Sequence, residues 1–259
     1  MPLELVPVPC LKDNYAYLLH DPVTGATGVV DVPDAAPILA ELARREWRLT
    51  DIFLTHHHDD HIAGVVALKA ATGGSLGPKV WGAEADRHRL PHLDWSLWEG
   101  DKVSVGREEG VVIDVPGHTV GHIAFYFATS GYCFTGDSLM AGGCGRLFEG
   151  RPDQMWATLQ KLAALPAETL ICSGHEYTAS NLSFAATIEP ANPRLAMRQH
   201  DVARARGEGL PSVPSVLEEE LATNPFLRAG LPQVKAAVGM PDAADAEVFA
   251  EIRSRKDRF

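Results

Sequence analysis

The seven residues THHHDDH, Thr55 to His61, decide how this sequence is interpreted. They crowd together four imidazoles and two carboxylates, groups that are costly to bury and able to bind a cation. The preceding run DIFLT (51–55) is typical of a strand, and the following run IAGVVALKA (62–70) is typical of a helix. We therefore place the cluster in the turn that joins a strand to a helix.

The geometry of extended chain sorts these side chains into two groups. Alternate residues point the same way, so His56 and His58 can converge on one point while His57 points elsewhere. Asp60 and His61 lie at the helix start, where they can address a second, nearby point. A single metal on the first pair would leave Asp60 and His61 without a role. Helix capping would explain one carboxylate but none of the flanking imidazoles.

Three later strand-like runs end in the same kind of residue. The runs VVIDV, YCFTG and TLICSG are each followed, within three residues, by His118, Asp137 and His175 respectively. Strand ends gathered at one edge of a sheet are where α/β proteins build their sites. We therefore expect these side chains to join the THHHDDH turn.

The combined donors fit two tetrahedral metal ions that share one carboxylate. We assign His56, His58 and His118 to the first ion, Asp60, His61 and His175 to the second, and Asp137 as the bridge. Nitrogen and oxygen donors without thiolate suit Zn²⁺, with Fe or Mn as alternatives. Three protein ligands and a shared one leave a position for water, which predicts a catalytic site. Asp60 and Asp137 are the predicted catalytic carboxylates.

The sequence alone allows other roles for some of these residues. His122 in PGHTVGH competes with His118, and we prefer His118 because it lies in the loop whereas His122 begins a strand. Asp137 could instead be a turn residue, and His175 a hydrogen-bonded surface histidine. Cys144 is expected to be a packed thiol. No ligand role is assigned to the remaining histidines, which are His20, His57, His88, His92 and His200.

The pattern along the chain predicts a mixed α/β protein with two domains. Up to about residue 177, strand-like runs alternate with helical stretches at 36–46, 62–74 and 152–165. After that point the strand signals stop and helical stretches follow one another between Pro and Gly residues. We therefore predict a catalytic domain at 1–177 and an all-helical domain at 178–259.

Composition narrows the partners and the compartment. The net charge of −11 disfavours general attraction to nucleic acid or to an anionic membrane. No apolar run reaches the roughly 18 residues of a membrane span, and the N-terminal stretch lacks the basic and apolar regions of a signal peptide. The four cysteines are scattered without a C-x-x-C motif. We expect a cytoplasmic monomer without disulfide bonds.

These motifs, in this order, resemble the metallo-β-lactamase superfamily. Its defining string T-H-x-H-x-D-H stands here at Thr55 to His61, and the later elements PGHT, TGDS and SGHEYT match as well. More narrowly, the chain resembles the hydroxyacylglutathione hydrolases, or glyoxalase II, over essentially its whole length. The narrower resemblance rests on DNYAYLL (13–19), GCGRLFEG (143–150), GHEYT (174–178), NPFLR (224–228) and the ending RSRKDRF.

The resemblance implies an αββα four-layer sandwich with a binuclear metal site at its edge. It implies hydrolysis of S-D-lactoylglutathione to glutathione and D-lactate, the second step of methylglyoxal detoxification. By matched motif, the glutathione contacts fall on Arg146, Phe148, Tyr177, Arg253 and Lys256. Some family members carry Tyr where Phe148 stands, so this ring is expected to contribute packing alone. The cations of the last helix could instead compensate the helix dipole.

Three other functions fit parts of the pattern. A glutathione persulfide dioxygenase with a single iron would need only His56, His118 and Asp137, so the full seven-residue set and the long helical region argue against it. Lactonase or general thioesterase activity is a further alternative. A non-enzymatic, metal-stabilised binding module would have no use for open coordination positions, and it would unfold when the metal is removed.

Overall fold

The computed structural model describes residues 2–259, apart from the side chain of Ser75. Its internal contacts divide the chain into two compact units. The first unit comprises the chain up to Asp114 together with Gly121–Gly136. The second unit comprises Val115–Val120 and Asp137–Phe259. This division by contacts places the strands and loops from Asp137 onward in the second unit, and the functional boundary at residue 177 stays a prediction.

The first sheet of the first unit is mixed. Its first three strands are antiparallel neighbours, and its third to sixth strands run parallel. Every residue of the second strand is buried, which is typical of a strand covered on both faces. In sheet order, which here is also chain order, the strands are β1 (Glu4–Cys10), β2 (Asn14–His20), β3 (Ala26–Val30), β4 (Arg48–Phe53), β5 (Lys79–Ala83) and β6 (Trp95–Leu97).

The second sheet of this unit is antiparallel and packs against the first. Its strands are β7 (Lys102–Val105), β8 (Glu108–Asp114), β9 (Ile123–Phe127) and β10 (Tyr132–Gly136). The ring of Phe53 from β4 lies 5.4 Å from that of Phe125 on β9, and Tyr17 of β2 lies 5.6 Å from Phe134 on β10. These fully buried rings form the apolar layer between the two sheets.

Three helices cover the outer face of the first sheet: α1 (Ala35–Arg45), α2 (Asp59–Ile62) and α3 (Val65–Ala71). The sequence predicts one helix over 62–74, but the structure breaks it at Gly64. A Cβ there would lie 2.7 Å from the backbone nitrogen of Ala35, and the Gly64 N–H donates to the carbonyl of Val32 at 2.9 Å. The close approach of these two backbone segments therefore interrupts the helix.

The second unit is mainly helical. Its short strands are β11 (Leu139–Met140), β12 (Gly143–Cys144), β13 (Leu170–Ser173) and β14 (Ser215–Val216). Its helices are α4 (Pro152–Ala163), α5 (Thr178–Ile188), α6 (Pro193–Gly207), α7 (Leu217–Thr223), α8 (Pro232–Ala237) and α9 (Asp245–Asp257). Within residues 2–259, none of the helices is both long enough and apolar enough to span a bilayer.

A buried polar cluster in the second unit joins its C-terminal helices to the β11–β12 hairpin. The carboxylate of Glu220 on α7 accepts from the N–H of Gly142 and from Arg198. The amide of Asn224 donates to the carbonyls of Met140 and Gly143 at 3.3 and 2.9 Å. Because Glu220 and Asn224 are fully buried, loss of either would leave these polar groups unpaired. The cluster holds the hairpin that follows Asp137.

Candidate metal centre

The THHHDDH turn lies between the end of β4 and the start of α2. Nε2 of His56 lies 3.1 Å from Nδ1 of His58, and the ring centroids are 4.7 Å apart. His56 is fully buried and His58 is partly buried. The two imidazoles therefore present one nitrogen each to a common point, as alternation along extended chain requires.

The next two residues of the turn form a second donor pair. Oδ2 of Asp60 lies 3.9 Å from Nε2 of His61. Asn14, the first residue of β2, donates from its amide to both the Oδ2 and the main-chain oxygen of Asp60 at 3.0 Å. The Asp60 side chain is 43% exposed whereas that of His61 is fully buried. Asp60 is thus held by a neighbouring strand and still reaches solvent.

Asp31 orients this turn, although no motif in the sequence pointed to it. Its carboxylate accepts from the N–H and the hydroxyl of Thr55 at 2.9 and 2.8 Å, and from Nδ1 of His61 at 2.8 Å. The Thr55 oxygen in turn lies 3.0 Å from Nδ1 of His56. Because each Nδ1 faces an acceptor, the Nε2 atoms of both histidines are the nitrogens that could bind a metal ion. The available signal was an Asp directly after a strand, the pattern used for Asp137.

His57 and His122 are placed beside the donor groups. Nδ1 of His57 lies 2.9 Å from the buried carboxylate of Asp86. His122 precedes β9, and its ring stacks on that of His56 at 4.6 Å and 13°. Nδ1 of His122 faces the main-chain oxygen of Ile123 at 3.1 Å.

The second unit brings its three predicted donors together. Oδ2 of Asp137 lies 3.5 Å from Nε2 of His118 and 3.3 Å from Nε2 of His175. All three residues are buried. Nδ1 of His118 lies 2.7 Å from the main-chain oxygen of Arg146, which can only accept, so the Nε2 of His118 carries the lone pair. One carboxylate oxygen thus faces two imidazole nitrogens.

The spacing and chemistry of these donors fit a divalent metal. Ligand bonds of about 2.0–2.1 Å in a tetrahedral shell place neighbouring donors roughly 3.4 Å apart. The distances of 3.1 Å within the first unit and 3.3 and 3.5 Å within the second match that spacing. The donors are nitrogen and oxygen, and the thiol of Cys144 is buried with its pKa raised to about 11.

Aromatic residues of the predicted substrate face pack directly on the second unit's imidazoles. The ring of Phe148 meets that of His118 edge-on at 5.3 Å, and Tyr177 stacks on His175 at 4.7 Å and 7°. Phe148 is 61% exposed and Tyr177 is also exposed. The Arg146 side chain is 57% exposed, and its Nε lies 3.4 Å from Oδ1 of Asp257. These three residues form an accessible face beside His118 and His175.

The two predicted cations of α9 have different surroundings. Arg253 is only 6% exposed, and it donates to the carbonyl of Cys144 and to Asp257, both at 2.9 Å. Nζ of Lys256 lies over the rings of Phe184 and Phe259, at 5.3 and 5.1 Å. Burial, with the nearby charge of Arg253, lowers the pKa of Lys256 to about 8. Arg253 therefore braces the β11–β12 hairpin.

Comparison with known proteins places the fold. The model of the metallo-beta-lactamase superfamily matches residues 15–175. The crystal structure of the BLEG-1 B3 metallo-beta-lactamase superposes with a TM-score of 0.65 at 21% identity, over 87% of this chain and 99% of that one. ETHE1 from Myxococcus xanthus gives 0.58 at 27% identity, over 88% and 98%. The class is the metallo-β-lactamase superfamily, and the predicted αββα fold with a helical C-terminal region is confirmed.

A narrower set of relatives matches along the entire chain. A family model described as "Hydroxyacylglutathione hydrolase C-terminus" matches residues 176–259. Proteins named hydroxyacylglutathione hydrolase from Cereibacter sphaeroides, Fuscovulum blasticum and Ruegeria pomeroyi are 66%, 63% and 58% identical, each over 100% of both chains. This chain therefore belongs to the hydroxyacylglutathione hydrolase family.

Proposed function

We propose that the protein hydrolyses S-D-lactoylglutathione to glutathione and D-lactate, the second step of methylglyoxal detoxification. The observation that carries the proposal is Oδ2 of Asp137, which lies 3.3–3.5 Å from both His118 and His175, beside an exposed aromatic and cationic face. Full-length identity of up to 66% to proteins named hydroxyacylglutathione hydrolase supports the same substrate class.

We infer that the seven predicted donor residues would hold one pair of divalent ions, with Zn²⁺ favoured and Fe or Mn as alternatives. When bound, the ions supply a hydroxide nucleophile at neutral pH and polarise the thioester carbonyl. In this proposal His56, His58 and His118 hold one ion, Asp60, His61 and His175 hold the other, and Asp137 is shared. The spacing within each unit and the hydrogen bonds to Nδ1 of His56, His61 and His118 support the assignment.

Asp60 is the residue proposed to handle the nucleophile's proton. Its side chain is 43% exposed, so water and substrate can reach it, while the Asn14 amide fixes one of its oxygens. A carboxylate held in this way can orient an attacking water and accept its proton. Asp137 is the second catalytic carboxylate of the proposal, and it acts through its shared ligand position.

The chemistry of the leaving group suits a site without a general acid. A thiol with a pKa near 8.5 leaves as the thiolate at neutral pH with little need for proton donation. An amide nitrogen would need a proton donor at the site. This preference supports a thioester substrate over an amide.

The glutathione moiety is proposed to bind on the exposed face of the second unit. Its two carboxylates would be attracted by the positive charges of Arg146, Arg253 and Lys256, and its backbone would pack on Phe148 and Tyr177. Arg146 is the most accessible of these cations and would contact a carboxylate directly, whereas buried Arg253 would add its charge from behind the β11–β12 hairpin. We propose residues 178–259 as the substrate-binding domain and 1–177 as the catalytic domain.

We further propose that the enzyme works as a cytoplasmic monomer without nucleic-acid or membrane partners. The net charge of −11 supports this, because it opposes binding to anionic polymers and anionic lipids. The four cysteines are buried free thiols, a state that a reducing compartment preserves.

The direct test is thiol release from S-D-lactoylglutathione by the purified full chain, alongside metal analysis. We expect turnover, about two ions per chain, loss of activity with a chelator and recovery on adding Zn²⁺. A matched thioester without the glutamyl and glycine carboxylates should show a lower kcat/KM. No hydrolysis by metal-loaded protein would refute the proposal. Oxygen uptake with glutathione persulfide would instead favour the single-iron dioxygenase.

A further inference from the structure

Three consecutive, chemically identical imidazoles stand at the start of the metal-binding turn. Only alternate members can face one point, so the chain must decide whether His56 and His58 or the single His57 does so. Backbone alternation alone does not decide this, because a half-turn of the segment would exchange the two faces. A group outside the turn has to hold the register.

The carboxylate of Asp86 is placed to do this. Its Oδ2 lies 2.9 Å from Nδ1 of His57, and the Asp86 side chain is fully buried while that of His57 is 15% exposed. A buried carboxylate facing an imidazole is costly to separate from it, because either group would be left desolvated without its partner. His57 is therefore held by a partner outside the His56–His58 pair.

Asp86 is itself held from two other directions. It ends the short 3-10 turn Glu84–Asp86, and its second oxygen accepts from the guanidinium of Arg89. The backbone of Gly121 packs so closely that any Cβ there would collide with the carboxylate. Arg89 and the backbone of Gly121 fix the position of the Asp86 carboxylate. The His57 side chain therefore takes the orientation that reaches it.

The nitrogen contacts separate His57 from its two neighbours. Nε2 of His56 lies 3.1 Å from Nδ1 of His58, whereas Nδ1 of His57 faces Asp86 and its ring lies 6.5 Å from that of His56 and 4.9 Å from that of His58. Adjacent side chains in extended chain point to opposite faces, so fixing His57 outward fixes both neighbours inward. Groups that orient metal ligands from outside typically change metal affinity about 10–100-fold when removed.

We propose that Asp86 is a positioning residue, which binds His57 and thereby determines that His56 and His58, and not His57, face the metal. The inference rests on the proposed metal site but adds a selection device to it. It assigns a use to the middle histidine, which has no ligand role in the proposed set.

The test measures Zn²⁺ affinity of the full chain by competition with a chromophoric chelator, with no activity readout. H57A should weaken Zn²⁺ binding about ten-fold. H57N should stay close to wild type, because its amide nitrogen can occupy the position of Nδ1 and still donate to Asp86. H88A, which removes an exposed neighbouring imidazole, should have no effect.

A second measurement uses Co²⁺ in place of Zn²⁺ and follows its absorption bands. D86A should shift these bands, because a released His57 competes for the ion, whereas D86N retains an acceptor and should not. If D86A fails to fold, the H57A and H57N pair still decides the matter. Wild-type affinity in H57A, or equal losses in H57A and H57N, would overturn the inference. If wild type itself bound no metal, the proposed function would fail instead.

Discussion

The buried carboxylate of Asp31 lies 2.8 Å from Nδ1 of His61. Asp31 also accepts two hydrogen bonds from Thr55, whose oxygen faces His56, so one carboxylate governs the orientation of two imidazoles. Asp31 adopts a left-handed backbone conformation with φ of 57° at the end of β3. This conformation turns the side chain from the strand into the metal-binding turn.

Replacing Asp31 by Asn should weaken metal binding about 10–100-fold. Asn tolerates the left-handed conformation, so D31N removes the charge without adding backbone strain. D31A should weaken binding and also lower the Tm, because Ala is strained at this φ. Chelator competition and thermal unfolding of the apo and zinc forms would measure both effects. Wild-type zinc affinity in D31N would show that Asp31 does not tune the ligands.

Replacing Asp137 by Ala should abolish hydrolysis and lower the metal content from about two ions per chain toward one or none. Its Oδ2 faces both His118 and His175, so its removal affects donors on either side. Elemental analysis and the thioester assay measure the two effects. D59N is the control, since it removes an exposed carboxylate that is outside the proposed ligand set. Full activity in D137A would remove Asp137 from the shared position.

Arg146→Ala should raise the KM for S-D-lactoylglutathione about ten-fold, equivalent to one charge-assisted hydrogen bond of ~1.5 kcal/mol. The kcat should change little, because the side chain is exposed and the His118 imidazole is held by the main-chain carbonyl of residue 146. Steady-state kinetics measure both constants. A large fall in kcat with constant KM would argue against a binding role.

Arg253→Ala should raise KM and, in addition, destabilise the protein. It removes the donor to the main-chain carbonyl of buried Cys144, a loss of about 1–3 kcal/mol. For a chain of this size that lowers the Tm by about 2–12 °C. R258A is the control, because it removes an exposed cation from the end of the same helix. An unchanged Tm would mean that the hairpin does not depend on Arg253.

Lys256 predicts a pH dependence of substrate binding. Its pKa of about 8 means that the ammonium loses its charge above that pH, so the KM should rise between pH 7 and pH 9. K256R keeps its charge over this range and should show a smaller rise. A KM that rises equally in both proteins would trace the effect to another group.

Lys256 should also make the stability of the folded protein depend on pH. Because the folded-state pKa of about 8 lies below the ordinary value of 10.5, the unfolded chain binds more protons between these values. Stability should therefore increase with pH from about 8 to 10.5, and the cost of the charge is fully present below pH 8. K256M removes the titrating group, so its Tm should lack this rise. Tm values measured across that window would decide the matter.

Several strands followed from sequence because their signals are local. The predicted strand runs VVIDV, YCFTG and TLICSG overlap strands β8, β10 and β13. Strand β1 carries Pro7 and Pro9, which weaken a strand signal and are tolerated here because β1 is an edge strand. The break at Gly64 depends on contact with residues 32–35, which local periodicity does not reveal.

The donor residues of the candidate site can be predicted from local sequence patterns, but the residues that support them cannot. Its donors stand at strand ends and in one dense motif, which sequence reasoning can use. Their supporting groups come from distant segments: Asn14 reaches Asp60 across 46 positions, and His57 and Asp86 are 29 positions apart. Likewise, the RSRKDRF ending consists mostly of charged residues, a pattern typical of a solvated helix, yet it contains a buried arginine.

The main chain and the side chain of Arg146 have separate roles. Its carbonyl anchors the His118 imidazole, while its guanidinium extends into solvent beside Phe148. A new side chain at this position alters the charge offered to an incoming molecule and leaves the anchor in place. Substitutions at position 146 can therefore change which thioester is preferred while the hydrogen bond to His118 is kept. Saturation mutagenesis of this one residue is a direct way to alter substrate preference.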